Sequence, residues 1–452
     1  MPTPPASIIH LLAPLASAFS APTFAHALVL VWGAIVAPGR RTVCSALRSV
    51  GRADEPHFAT YHQVLSRAVW SPWVLSQLLL ALIIEVCLSA EAPLVLLIDE
   101  TLERRRSGQL KQISAWRDPV RSSLRHVSTV LGIRWLVLAV VVRVPWSQRA
   151  WALPFMVVPA RSPKTSARLK RPHRPLVGWA EIMLTQVRRW QPSRAIVLVG
   201  DQSYAAVSLI TRCQTGPRPV TFVSRLRLDA GLYDPPGPRP PGKSGPPAKK
   251  GARQATFDQR LADPTAKWQA LTVGWYGGSQ RQLDVLTGTA LWYVRGHVPV
   301  SLRWVLVRCP SDPHFKPTAL LCSDPTASAA SILTWFVARW NLEVTFAEIR
   351  AHLGFETQRG WSERTMQRTT PCLFGLFSLV VLMAYRLHAD RVPVRQAAWY
   401  PKSGATFSDV LASVRRALWT PLEYTPVPSD PDLLLIARST WQSLLEIACY
   451  ST

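Results

Sequence analysis

Apolar positions change their period along this chain, and the changes divide it. Up to about residue 90 they recur at helical spacing and are punctuated by Pro14, Pro22 and the Pro38-Gly39 turn, which predicts a run of helices. From Pro93 the pattern turns to strands: a short buried run, Leu94 to Ile98, then longer β-branched runs, Arg134 to Val144 and Trp151 to Pro159, with a turn between them. Leu176 to Trp190 alternates as an amphipathic helix, and Ala195 to Gly200 reads as another buried strand. Pro235 to Arg253 is rich in Pro, Gly and Lys, which predicts a mobile loop. Strand-like runs follow at Gln269 to Tyr276, Gln282 to Leu286, Ala290 to Arg295 and Ser301 to Arg308. The rest is helical: a segment ending near Arg350, a strongly apolar helix from Thr370-Pro371 through Tyr385, and a tail from Ala405 with two helices split by a Pro421 to Pro431 linker. No internal repeat is visible.

Within that second helical part, Leu333, Phe336, Val337, Trp340, Val344 and Ala347 keep three- and four-residue steps, with no Pro or Gly to break them. Arg339 and Glu343 are four apart and share a face, and Arg350 lies two turns further down it. Two aspartates follow buried strands, Asp99 after Leu-Val-Leu-Leu-Ile and Asp201 after Ala-Ile-Val-Leu-Val-Gly. Two strand-end aspartates and a helical glutamate are the layout of a two-metal phosphoryl-transfer site.

These residues carry a resemblance. The chain resembles the DDE transposases of bacterial insertion sequences, in the branch marked by a Tyr-x2-Arg-x3-Glu-x6-Lys signature. That signature stands here as Phe336, Arg339, Glu343 and Arg350 with every spacing kept, Phe replacing Tyr and Arg replacing Lys. Leu-Ile-Asp99-Glu-Thr, Val-Gly-Asp201-Gln-Ser-Tyr and Glu-Thr-Gln-Arg-Gly-Trp361 are also similar to this branch. The succession strand, hairpin, helix, strand matches an RNase H-like sheet, whose first and fourth strands lie side by side and would bring Asp99 and Asp201 together. The expected class is α/β: an RNase H-like mixed sheet flanked by helices, with a β-rich insertion, an N-terminal helical domain and a C-terminal helical tail. The expected domains are 1–90, helical and DNA-binding or packing; 91–226, the first part of the catalytic core; 227–312, the β-rich insertion with its basic loop; 313–388, the second part of the core; and 389–452, the C-terminal helical region.

Composition narrows the partner. Lys plus Arg is 52 against 27 for Asp plus Glu, a formal net charge of +25, which points to a polyanion, nucleic acid before membrane. A host with an Arg-rich code is the alternative source of that charge. Cysteines 44, 87, 213, 309, 322, 372 and 449 are scattered without a Cys-x2-Cys pair, so neither a disulfide framework nor a zinc site is expected and a reducing cytoplasm fits. The first charged residue is Arg40, so the amino terminus lacks the basic region of a signal peptide. The apolar stretches Thr23 to Ala37, Leu78 to Ala90 and Cys372 to Tyr385 fall short of the ~20 residues of a membrane helix, and no span is predicted. No G-x4-G-K-[ST] or G-x-G-x2-G motif is present, which disfavours nucleotide-driven chemistry.

Magnesium takes hard oxygen ligands and keeps several waters, so Asp99, Asp201 and Glu343 suffice for two Mg2+, with Mn2+ as a substitute. Each acid also has a plain structural role open to it: Asp201 as a cap for the turn that follows, Glu343 as an i,i+4 partner of Arg339. Glu348, Glu100 and Asp118 are the competing acids. Arg339 and Arg350 would grip phosphate oxygens, or else be solvated helix charges. Arg104 and Arg105 would track the DNA backbone, or else form a solvated turn. Basic residues Arg40, Arg41, Arg48 and Arg52 would face DNA or be a solvated surface. In related enzymes an insertion aromatic stacks on a flipped base, for which Trp275 and Trp292 are the candidates; packing is the alternative. The reading is a cytoplasmic, nucleoid-associated transposase that binds terminal inverted repeats, cleaves them with divalent metal and joins the 3′-hydroxyls to target DNA. It would act as a homodimer, because two ends share one complex. A DNA-binding relative without cleavage and an RNase H-like nuclease are the alternatives.

Overall fold

In the computed structural model the described residues are 4–438, apart from 107–109, 119, 120, 124, 125, 240–243, 400, 420–423, 428 and 429, together with Trp441. The amino-terminal part is helical: α1 (Ala6–Leu12), α2 (Ala21–Val36), α3 (Val43–Ser49), α4 (Phe58–Ser66) and α5 (Pro72–Cys87). Pro stands in the first turn of α2 and of α5, where its missing N–H costs nothing. The carboxyl end of α2 leaves carbonyls that two guanidiniums collect. Arg41 Nε donates to Ala34 O at 3.2 Å and Arg415 Nε to Ile35 O at 2.6 Å, at the negative end of the helix dipole. Arg41 is thereby taken out of the basic face read from the sequence. Burial and the nearby Arg415 lower its pKa to about 10.

The sheet begins with β1 (Leu94–Arg104), β2 (Ser114–Arg117), β3 (Thr129–Val142) and β4 (Trp151–Ala160). After α6 (Pro163–Arg168) and α7 (Leu176–Trp190) come β5 (Ile196–Gly200), α8 (Val207–Gln214) and β6 (Thr221–Leu226). β3 pairs antiparallel with both β1 and β4, β1 runs parallel to β5, and β5 runs parallel to β6. This is the RNase H-like core, a mixed sheet with helices on its faces. β1 is eleven residues long, against a predicted Leu94 to Ile98. Asp99, Glu100, Glu103 and Arg104 interrupt its apolar pattern, yet the strand continues because β3 pairs with it as far as Arg104↔Gly132.

The chain then adds β7 (Leu232–Tyr233), α9 (Phe257–Ala262), β8 (Gln269–Gly274), β9 (Gln280–Trp292), β10 (Val300–Arg308) and β11 (Thr318–Cys322). The runs predicted at Gln282 to Leu286 and Ala290 to Arg295 are one strand, β9, since β10 pairs with it continuously from Asp284 to Trp292. Through β11, which pairs with β6, these strands extend the core sheet: among the described residues one sheet holds eleven strands. The stems of the predicted mobile loop are paired. Asp234 N donates to Ala252 O at 2.9 Å, and the Lys250 ammonium lies 3.5 Å from the Tyr233 ring centroid. Residues 240–243, including Lys243, lie outside the described set.

Four helices follow: α10 (Ala329–Ala338), α11 (Trp340–His352), α12 (Glu363–Leu387) and α13 (Phe407–Trp419). The continuous helix predicted around Arg339 is interrupted there. Asn341 Nδ2 takes the Ala338 carbonyl at 2.9 Å, and the turn tightens through Leu342 N to Arg339 O at 3.0 Å. The apolar stripe divides with it, and Trp340, one of the apolar residues at helical spacing, is 47% exposed. Helix α12 is longer than predicted and is the one described helix long and apolar enough to cross a membrane. Here 67% of that stretch is buried inside the fold, where α12 packs on β4, α5 and α13. The tail departs from the helical expectation. After α13 comes a two-stranded hairpin, β12 (Tyr424–Val427) and β13 (Asp430–Ile436), within and beyond the predicted linker. The rest of the second predicted tail helix lies mostly outside the described residues.

Candidate active site

Parallel pairing between β1 and β5 ends at Ile98↔Gly200, so Asp99 and Asp201 occupy the next positions on neighbouring strands. The placement of Asp99 differs from a strand end in one respect: only its β5 neighbour stops there, and its β3 neighbour runs on. Helix α11 brings Glu343 to the same edge. Arg339 joins the two: Nη1 donates to Asp99 Oδ2 at 2.7 Å and Nη2 to Glu343 Oε1 at 2.7 Å. The salt-bridge role of Glu343 is therefore realised, and so is the capping role of Asp201. Asp201 Oδ1 accepts from Ser203 N at 2.8 Å and from Ser203 Oγ at 2.6 Å, over the 3₁₀ turn Gln202–Tyr204.

The electrostatics follow from burial. Asp99 is 9% exposed, and its carboxyl pKa is pushed up to about 7, chiefly by desolvation, against the opposing Arg339 charge; the Glu100 and Asp201 carboxylates add to the rise. Glu100 is also raised, first by burial, while the Tyr204 hydroxyl and Arg134 act the other way. Arg339 is held above its ordinary value by Asp99 and Glu343, which outweigh its own burial.

The donor chemistry fits a hard divalent cation. The acids at this edge offer oxygen alone, negative charge is in excess, and a guanidinium already lies between two of them. The set is not preassembled: among the described residues no three His, Cys, Asp or Glu side chains are grouped to hold an ion. Among the competing acids, Glu348 turns away and pairs with His352 at 3.2 Å. Asp118 is buried in the turn after β2, its Oδ1 accepting from Arg121 N at 3.3 Å. Glu100 stays beside the site.

Beside Arg339 lies a cavity of about 570 Å³ between the β8–β9 connection, β11 and the two helices that flank Arg339. Trp275, Tyr276, Phe315 and Trp340 line it with Arg225 and Arg339. Tyr276 stands 4.9 Å from the Trp275 ring and 5.7 Å from the Trp340 ring, centroid to centroid. Trp292 is elsewhere: it pairs with Val300 at the far end of β9, about 26 Å along the strand from Asp284 at the usual rise per residue. Arg350 is held against β1, donating to Thr101 Oγ1 and to Leu102 O at 3.3 Å and pairing with Glu356.

Arg104 is exposed next to these groups, but Arg105 is not the DNA-tracking side chain predicted for it. Its guanidinium pairs with fully buried Glu103 and donates to Gly360 O at 3.0 Å, tying β1 to the loop after α11. Glu103 also accepts from Trp135 Nε1 at 2.7 Å and Thr370 Oγ1 at 2.9 Å, so this internal charge is fully engaged. Sequence reasoning missed Tyr276, Phe315 and the Glu100–Tyr204 contact. An aromatic on the helix next to Arg339 was the available signal for Trp340. Tyr276 and Phe315 carry none, because the sheet extension alone brings them here, and the Glu100–Tyr204 contact waits on β1 lying beside β5.

Two aspartates on parallel strands and a helical glutamate beside them stand at one edge of this RNase H-like sheet. The family description "DDE superfamily endonuclease" matches residues 14–282, more than half of the chain, and the chain belongs to that family. Endonucleases of this superfamily depend on divalent metal. No curated protein matches. Among solved structures, the cryo-EM structure of a piggyBac transposase synaptic complex with hairpin DNA is similar at 12% identity, covering 94% of this chain and 76% of that one, with a TM-score of 0.39. That likeness is too distant to bear on function.

Proposed function

We propose that this protein is a DNA transposase of the insertion-sequence kind, which binds terminal inverted repeats, cleaves them and joins the 3′-hydroxyl ends to target DNA. The observation that carries the reading is the placement of Asp99, Asp201 and Glu343 at one edge, around Arg339, in a chain of the DDE endonuclease family. Asp99, Asp201 and Glu343 would hold Mg2+, or Mn2+ in its place. A bound pair of such ions supplies Lewis acidity at the attacking and leaving oxygens. Arg339 would leave its position between the acids and take a phosphate oxygen, for which its fork is suited. Arg350 and Arg104 flank the strand that carries Asp99 and would bind the DNA backbone. The aromatic cavity around Trp275, Tyr276 and Trp340 is of a kind that takes a base turned out of the stack. The working form would be a homodimer, since two ends have to be held together, acting in the cytoplasm on the nucleoid.

One observation favours a second reading, a relative that binds DNA without cutting it: Arg339 occupies the space between two of the acids, and no three of them are grouped. Nicking of a supercoiled plasmid carrying the element's ends separates the two. With Mg2+ the wild type should nick, while Asp99→Asn, Asp201→Asn and Glu343→Gln should lose cleavage and keep end binding, because phosphate contacts supply most affinity. A wild type that binds ends and never nicks them establishes the second reading.

A further inference from the structure

Beyond the last β1–β5 rung, Ile98↔Gly200, no strand pairing holds the Asp99 segment to the Asp201 segment. A side-chain bond crosses the gap instead. Tyr204, fully buried at the end of the turn that Asp201 caps, donates its hydroxyl to Glu100 Oε2 at 2.6 Å. Glu100 is the residue after Asp99. Each partner of the bond is itself held. The other oxygen of Glu100 faces Arg134 Nη1 at 3.8 Å, and the Arg134 guanidinium lies 4.1 Å from the Trp116 ring centroid. The tyrosine lies on Gly200, where a Cβ would stand 3.1 Å from Tyr204 Cβ and Cδ2 and from Ile98 Cγ2, so the strand end is closed over by the ring. The Asp201 carbonyl accepts from Ser224 Oγ at 2.6 Å, which anchors the turn to β6. Burial and the surrounding carboxylates hold the phenol far above its ordinary pKa, so it stays a donor.

We propose that the Tyr204–Glu100 hydrogen bond is a positioning pair that sets the spacing between Asp99 and Asp201 and thereby the affinity of these acids for a divalent cation. This rests on the reading that Asp99 and Asp201 act together on metal. Neither Tyr204 nor Glu100 is assigned contact with the cation or DNA; they act through the two aspartates, as groups behind metal ligands do.

Calorimetric titration of the DNA-free protein with Mn2+ tests this, alongside the Mg2+ concentration that half-saturates nicking. Tyr204→Phe keeps the ring and removes only the hydroxyl. It should weaken Mn2+ binding and raise the Mg2+ midpoint by about tenfold, leaving end binding and melting temperature near wild type. Glu100→Ala should match it, and the double variant should be no worse than either single one. Glu100→Gln, which still accepts the bond, should lie near wild type. Unchanged Mn2+ affinity in Tyr204→Phe overturns the proposal. So does Glu100→Gln as damaging as Glu100→Ala, since Glu100 would then act by its charge. A wild type that neither binds Mn2+ nor nicks DNA removes the functional reading and this proposal together; a wild type that does both beside an unaffected Tyr204→Phe removes only the proposal.

Discussion

Arg339 illustrates at the scale of one residue how a structural contact and a functional one occupy the same atoms. Its two 2.7 Å bonds to Asp99 and Glu343 neutralise acids that would otherwise repel each other at a half-buried edge. Two neighbouring arginines on β1 separate more cleanly. Arg105→Ala leaves Glu103, which is wholly buried, without its cation, and should cost about 3–5 kcal/mol of stability by urea unfolding. Arg104→Ala, at an exposed position, should cost under about 0.5 kcal/mol and weaken DNA binding instead. Equal losses of stability would refute the division. Asp99 gives a prediction in pH. Its folded pKa of about 7 stands above its ordinary 3.8, so between those values the native state keeps a proton that the unfolded chain releases. Its contribution to stability is full below about pH 4, declines as pH rises towards 7 and is flat beyond, with a slope of at most about 1.4 kcal/mol per pH unit. Asp99→Asn should flatten that slope in metal-free buffer; a pH profile identical to wild type would show that Asp99 ionises normally.

Elements here are decided by their neighbours as much as by their own residues. The outer half of β1 carries the composition of a loop and is a strand because β3 runs beside it. β9 looks broken at Thr287-Gly288 and is continuous because Trp304, the residue opposite Gly288 on β10, lays its ring across the gap. A Cβ at Gly288 would stand 2.6 Å from Trp304 Cζ2. Phe257 and Arg260 cover the same ring, so it has little room to retreat. Gly288→Ala should therefore destabilise the protein by about 1–3 kcal/mol, read as a lower urea midpoint with unchanged m. An unaltered midpoint would mean that Trp304 repacks without strain. The break between α10 and α11 belongs to the same scale: Trp340, the first residue of α11, lines the cavity beside the acids and is half exposed.

For the whole molecule, the strands inserted after β6 continue the core sheet, so the aromatic cavity is attached through paired backbone to the strands that carry the aspartates. The net charge of +25 acts at this scale as well. Binding to duplex ends should fall steeply with salt, each neutralised phosphate contributing about −0.9 to the slope of log K against log salt. An affinity flat from low to physiological salt, measured by fluorescence anisotropy, would contradict a DNA partner.

The candidate carboxylates could be picked out without a structure because their pattern is local: a buried apolar run ending in Asp, and Arg and Glu four apart on a helix, need only the period of each element. The Leu176–Trp190 helix and the strand before Asp201 were legible for the same reason, as each buries one continuous apolar pattern. The fate of each charge was not local. Arg105 and Arg104 are adjacent and alike in sequence, and only the packing of β1 against Trp135, Thr370 and Gly360 makes one internal and leaves the other in solvent. Trp275 and Trp292 were equal candidates, and the β8–β9 pairing, which ends at Gly274↔Gln280, puts Trp275 by the start of β9 while Trp292 is at its other end. The Tyr204–Glu100 bond joins residues far apart in the chain. It arises only once β1 and β5 lie side by side, because a hydrogen bond depends on where two atoms end up in space and a sequence pattern carries only the periodicity of each element alone.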